Sequence, residues 1–210
     1  RNHGRSPHST EFNYDVMCAD ILEYIEDNEL VNPIILGHSL GGKVAMKFAF
    51  TYPTKIEKLI VADISPRKYN TDFHKNLLAV LYKLPLEDFT KREEVENALS
   101  VFLEDRGIRL FLMKNLYRNE NKEFAWRFNI EVLLEKVNNI QEADFVKGIC
   151  KIPTHFIRGG NSDYINSADE LLINKHFTDF SICTIEGAGH WLHAEKPERF
   201  YDEVMGFCLM

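Results

Sequence analysis

Three kinds of residue capable of acyl chemistry stand far apart in this chain: Ser39, His190 and an aspartate, either Asp63 or Asp163. A serine hydroxyl is a weak nucleophile at neutral pH unless a base takes its proton as it attacks. Histidine is the usual base, and a carboxylate on its second ring nitrogen fixes the tautomer that can accept. Ser39 lies in Gly37-His38-Ser39-Leu40-Gly41, a G-x-S-x-G pentapeptide. The apolar run Pro33–Leu36 precedes it, and Val44, Ala45, Phe48 and Ala49 follow at helical spacing. Strand, sharp turn and helix in that order predict a nucleophile elbow with the hydroxyl at its apex. A strained backbone is expected at Ser39, and Gly37 and Gly41 are read as the points of close backbone approach. The Leu40 amide, at the start of the helix, is the candidate oxyanion donor. For the pentapeptide alone, a plain helix start with Ser39 as its N-cap is the competing reading.

The base and the acid are sought at the ends of later strands. His190 follows the last predicted strand in Gly187-Ala188-Gly189-His190-Trp191, where the glycines let the loop bend. It is preferred to His193, expected at the surface or facing a helix cap, and to His38, expected to point away from Ser39. The H-x-x-H pair of His190 and His193 lacks a third ligand at a suitable spacing, so no metal is expected. Asp63 closes the strand after the elbow helix, and Asp163 lies just past a later one. Asp63 has the more rigid position and Asp163 the more general one, and residue type and placement leave them nearly equal.

The elements that must hold these residues alternate as in a parallel sheet. An amphipathic helix covers 13–28, with Tyr14, Met17, Cys18, Ile21, Leu22 and Ile25 on one face. The elbow strand and helix follow, then strands over Lys58–Ile64, Thr154–Arg158 and Phe180–Ile185, and a last helix opening at Pro197. The expected core is 1–66 with 153–210. Between them, 67–152 reads as a helical insertion without a convincing strand, placed where it would serve as a lid. Capping boxes are expected at Thr90–Glu93 and Ser167–Glu170, and Asn129 is expected to cap a helix over Ile130–Val137. Leu110, Phe111 and Lys114–Tyr117 suggest a further helix. Phe111, Leu112, Tyr117, Trp126 and Phe128 read first as core and second as an acyl pocket. Arg127 reads first as an ion-pair partner and second as a contact for an anionic substrate group.

Composition narrows the function classes. The 210-residue chain carries a net charge of −7, which argues against a nucleic-acid binder. No apolar run approaches the length of a membrane span. Cys18, Cys150, Cys183 and Cys208 show no paired or metal spacing and are expected as reduced thiols.

The segments Arg1-Asn2-His3-Gly4-Arg5-Ser6-Pro7, Gly37–Lys43, Asp63-Ile64-Ser65-Pro66, Trp126–Asn129, Gly159-Gly160-Asn161-Ser162 and Gly187–Glu195 together resemble the YbfF-like esterases. The resemblance runs essentially end to end. It implies an α/β-hydrolase fold, a mostly parallel sheet with helices on both faces and a helical lid. It also implies Asp63 as the acid of a Ser39–His190–Asp63 triad. A small-molecule acyl ester or thioester as substrate, no cofactor and a cytoplasmic location follow from it. Members of that group carry further strands before the Arg1–Pro7 segment, including a loop that donates the second oxyanion amide. On that basis the 210 residues alone are expected to fold poorly and to hydrolyse little. Cofactor-free haloperoxidases, C–C bond hydrolases and a non-catalytic ligand-binding protein on the same fold are the alternatives.

Overall fold

Short β-branched runs alternating with amphipathic helices give this chain a four-stranded parallel sheet. In the computed structural model, residues 1–70, 72–140 and 145–210 are described; residue 71 and residues 141–144, all within the predicted insertion, lie outside the described residues. The chain divides into two compact units, Tyr14–Tyr69 with Glu142–Met210 and Arg1–Asn13 with Asn70–Gln141. The boundaries read from sequence, 1–66 with 153–210 and 67–152, differ from this division by grouping residues 1–13 with the sheet and by giving 67–69 and 142–152 to the insertion.

The first unit holds α1 (Tyr14–Asp27), β1 (Ile34–His38), α2 (Leu40–Thr51) and β2 (Lys58–Ala62). It continues with β5 (Thr154–Gly159), α7 (Ser167–His176), β6 (Phe180–Ile185), α8 (Leu192–Glu195) and α9 (Pro197–Leu209). The strands lie in the order β1-β2-β5-β6, all parallel. Leu59, Ile60, Val61 and Ala62 of β2 are fully buried, as expected for a strand covered on both faces. Ile60, Ala62, Ile157 and Ile185 pack with Phe207 and Val204 of α9. Val61 faces α2, where a Cβ at Gly42 would lie 3.2 Å from its Cγ1. On β5, Phe156 meets Phe177 edge to face at 5.2 Å, and Phe177 meets Phe50 in the same way at 5.6 Å. Full burial of each such side chain contributes about 1.5–3 kcal/mol. Helix α1 packs on α2, and the Cys18 thiol donates to the Val44 carbonyl. All four cysteines are free thiols, and burial pushes the Cys18 thiol up to about 12.

The second unit holds α3 (Asp72–Lys83), α4 (Arg92–Ser100), α5 (Arg106–Met113), β3 (Leu116–Arg118), β4 (Phe124–Trp126) and α6 (Ile130–Lys136). Helix α3 packs on α6, and α4 on α5. The expectation of no strand here is corrected by β3 and β4, an antiparallel hairpin pairing Leu116 with Trp126. Strands of three residues are too short to display an alternating pattern. For the same reason Lys114–Tyr117 is not helical: α5 ends at Met113 and the chain enters β3. Residues 1–13 are tied into this unit by polar bonds. Asn129 donates its amide to the Asn2 carbonyl at 3.0 Å and its side-chain nitrogen to Asn2 Oδ1 at 3.2 Å. Asn129 therefore holds the N-cap position of α6 without capping it through its side chain.

Two further caps are shifted from their expected places. The carboxylate that closes the α4 box is that of Glu94, which accepts from the Thr90 and Lys91 amides. At α7 the box is Asn166 with Asp169: Asn166 Oδ1 accepts from the Ala168 and Asp169 amides, and Asp169 Oδ2 from the Asn166 amide. Among the described residues no helix is long and apolar enough to cross a membrane.

Candidate active site

Between β1 and α2 the chain turns within a single residue, and Ser39 takes the cost with φ 53° and ψ −119°. That is a conformation non-glycine residues rarely adopt. Ser39 holds the N-cap position of α2, yet its hydroxyl makes no cap hydrogen bond. Its amide donates to the Ala62 carbonyl at 3.0 Å, tying the elbow to the end of β2. A Cβ at Gly37 would lie 2.2 Å from the Gly41 carbonyl oxygen, so only glycine fits there. The close approach expected at Gly41 is found instead at Gly42, whose Cβ would lie 2.5 Å from Ile64 Cγ2; Gly41 faces open space. Leu40 opens α2, so its amide is one of the first-turn donors that have no acceptor within the helix.

Ser39, His190 and Asp63 meet in one hydrogen-bonded line. His190 Nδ1 lies 2.8 Å from Asp63 Oδ2, and its Nε2 lies 3.1 Å from Ser39 Oγ. A carboxylate can only accept, so Nδ1 carries the proton; Nε2 of the neutral ring then accepts from the Ser39 hydroxyl. That is the tautomer a general base requires. His190 sits in the loop between β6 and α8, and its side chain is 22 % exposed, while Asp63 is fully buried. Asp63 stands just past β2, its amide donating to the Ile157 carbonyl at 2.8 Å and its φ at 49°. Two of the three residues thus hold left-handed backbone at a strand end.

Asp63 takes more than one donor. The Gly159 amide donates to Oδ1 at 3.0 Å, and the Ser162 hydroxyl donates to Oδ2, the oxygen that His190 also engages. Asp163 is not part of this arrangement: it is exposed, and its backbone carbonyl accepts from Arg67 Nη2.

The other two histidines pack around the base. His38 Nε2 donates to the His190 carbonyl at 2.8 Å, with the two rings 4.7 Å apart. Burial is the main cause that brings His38 down to about 4, and the neighbouring imidazoles add to it, so the ring stays neutral. His193, expected at the surface or facing a helix cap, is partly buried: its ring lies 4.7 Å from that of His38 and 6.0 Å from that of Phe200 in α9. Burial, and after it the nearby His190, holds its titration below the ordinary range. No group of three or more His, Cys, Asp or Glu side chains among the described residues is arranged to hold a metal ion.

Sequence reasoning missed several supports of this site. Glu195 accepts from the Gly189 amide at 2.7 Å and from the Trp191 amide at 3.1 Å, clamping the backbone on both sides of His190. Its position five residues after the histidine is a local signal that could have been read. Ser162 and Gly159 lie in the Gly159–Ser162 turn, which spacing alone does not connect to Asp63. Tyr164 lies flat on His190, with ring centroids 3.9 Å apart and an 18° interplanar angle. Nearby, Ser65 Oγ donates to Asp169 Oδ1 at 2.7 Å, Arg67 Nε pairs with the same oxygen at 2.9 Å, and Lys43 Nζ donates to the Arg67 carbonyl. In the helical unit, Trp126 and Phe128 are buried and stacked at 5.4 Å, Leu112 is buried, and Phe111 is 44 % exposed. The Arg127 guanidinium lies over the Tyr117 ring at 4.6 Å.

Comparison with known proteins agrees with this architecture. The model of the alpha/beta hydrolase family matches residues 1–203. The chain is similar to a putative esterase/lipase of Haemophilus influenzae, 36% identical over 198 residues, which are 94% of this chain and 68% of that protein. It is also similar to esterase YbfF of Escherichia coli, 32% identical over 200 residues, 94% of this chain and 76% of the relative. Among solved structures, a marine microorganism esterase superposes with a TM-score of 0.93 at 39% identity, covering 98% of this chain and 81% of that one. With a family match over nearly its whole length and relatives above 30% identity, this chain belongs to the alpha/beta hydrolase family.

Proposed function

We propose that this protein is a serine hydrolase of carboxylic esters or acyl thioesters, acting through an acyl-enzyme on Ser39. The observation that carries the reading is the hydrogen-bonded line from Ser39 through His190 to a fully buried Asp63. The esterases among its relatives support the substrate class. In the first step Ser39 Oγ attacks the acyl carbonyl carbon as His190 Nε2 takes the hydroxyl proton. The carbonyl electron pair moves onto oxygen, and the Leu40 amide at the start of α2 donates to that oxyanion. As the tetrahedral intermediate collapses, the bond to the leaving oxygen or sulfur breaks, and His190 returns its proton to that atom. Water, deprotonated by His190, then attacks the acyl-enzyme and frees Ser39 and the carboxylic acid. Asp63 stays ionised throughout, orienting the imidazole and offsetting the positive charge it gains.

Ser39→Ala in the full-length protein tests the assignment. Hydrolysis of p-nitrophenyl acetate is expected to fall by about 10⁶-fold, the scale of nucleophile loss in serine hydrolases. Labelling by a fluorophosphonate probe should vanish with it. Labelling retained by the variant would overturn Ser39 as the nucleophile.

A further inference from the structure

We infer that Tyr164 is a positioning residue for His190, whose ring face supports the positive charge the imidazole gains when Ser39 gives up its proton. The inference rests on the acyl-transfer reading above and adds a residue to it. Tyr164 and His190 are 26 residues apart, in the loops after β5 and β6, yet their rings stack 3.9 Å apart at an interplanar angle of 18°. A cation over the face of an aromatic ring within about 6 Å is attracted by the ring's quadrupole, and more strongly where water is excluded.

The tyrosine is itself held. Tyr69 stacks on it at 5.4 Å, and the Tyr69 hydroxyl accepts from the Ser65 amide at 2.9 Å while donating to the Tyr164 carbonyl. One phenol thus links the segment after β2, which carries Asp63, to the loop that presents Tyr164. A ring merely filling space would not need its backbone tied to the strand end that bears the acid.

The groups around His190 leave the Tyr164 face a distinct task. Asp63 meets Nδ1 at 2.8 Å and Ser39 meets Nε2 at 3.1 Å, so both ring nitrogens are engaged. Glu195 directs its carboxylate to the Gly189 and Trp191 amides, and Trp191 lies edge-on at 6.0 Å. His38 and His193 are kept neutral by burial, so neither places a second positive charge beside the base. Burial, and then the Asp63 charge, pushes the Tyr164 phenol up, so this ring stays uncharged as well. Charge on the imidazole exists only once the serine proton has moved, so support from the ring face belongs to the transition state and not to substrate binding.

The test compares Tyr164→Leu, which keeps bulk without a π face, with Tyr164→Phe, which keeps the face without the hydroxyl. With p-nitrophenyl acetate and the full-length protein, Tyr164→Leu should lose roughly tenfold in kcat with KM within about twofold. Tyr164→Phe should retain kcat, and Tyr69→Phe, which frees the buttress, should fall between the two. Proton NMR reads the stack independently of turnover. The His190 ring protons, assigned with His190→Gln, should lie upfield from the ring current in the wild type and in Tyr164→Phe, and move downfield in Tyr164→Leu. Absence of the upfield shift in the wild type overturns the inference. So does an unchanged kcat in Tyr164→Leu, or an equal loss in the Leu and Phe variants. Activity surviving Ser39→Ala would instead strike the acyl-transfer reading, and the NMR result separates the two failures.

Discussion

At the Asp63 carboxylate three donors converge on a side chain with no exposure to water: His190 Nδ1, the Gly159 amide and the Ser162 hydroxyl. Both oxygens are engaged, so the carboxylate cannot rotate away from the imidazole without leaving a buried donor unsatisfied. The positive φ at Asp63 directs the side chain there from the end of β2, while Asp163 stays exposed. Under the proposed mechanism Asp63→Asn should lower kcat by about 10⁴-fold with little change in KM, because the amide favours the wrong imidazole tautomer. Asp163→Asn should stay within about twofold of the wild type. Steady-state hydrolysis of p-nitrophenyl acetate by both variants checks this, and a larger loss at Asp163 than at Asp63 would reverse the assignment.

The elbow depends on backbone packed against backbone. The atoms a Gly37 Cβ would meet are the Gly41 carbonyl oxygen at 2.2 Å, its carbon at 2.4 Å and the Gly42 nitrogen at 2.6 Å, none of which can swing aside. Gly37→Ala should therefore destabilise the fold by about 3 kcal/mol or more, at the upper end for overpacking. Gly41→Ala should be neutral or stabilise by about 0.5–1 kcal/mol, since its Cβ points into open space from the first turn of α2. Urea unfolding of the two variants gives the contrast directly, and similar midpoints would count against it. The same pair shows where sequence stops being legible. The G-x-S-x-G pattern announces a tight turn and its order of elements, but it does not say which of Gly41 and Gly42 faces the strand, because that depends on helix phase. The caps at Asn166 and Glu94 fall one residue from where spacing puts them, since several acids and amides compete locally for the same amides. Strands β3 and β4 are too short to carry a pattern at all. Asp63 and Asp163 look alike as residues after strand ends, and only three-dimensional geometry shows Asp63 hydrogen-bonded to His190 while Asp163 is exposed. The Tyr164–His190 stack joins two loops with no local signal in either.

Across the molecule, burial on folding disfavours the charged form of ionisable groups at positions spread along the chain. His3, His38, His155 and His193 are all held below the ordinary imidazole range, with burial the largest cause in each. Burial likewise brings the Lys43 ammonium down to about 7. The depressed titration of His38 makes stability depend on pH. Above about pH 6.5 the ring is neutral folded and unfolded, and its titration has no effect on stability. As the pH falls from 6.5 to about 4, the unfolded chain binds a proton that the fold excludes, so stability drops. Below about 4 the folded ring is charged too, and the loss, on the order of 3 kcal/mol for this residue, is complete. Lys43 adds the same sign at higher pH: between about 7 and 10.5 the unfolded chain holds the extra proton, so stability gains as the pH rises through that window. Urea midpoints should therefore fall between pH 6.5 and 4. His38→Gln offers a donor to the His190 carbonyl but cannot titrate, so its midpoint should fall less steeply across this window and approach the wild-type trend above pH 7. Parallel curves for the two proteins from pH 7 to pH 4 would show that His38 is not held neutral by the fold.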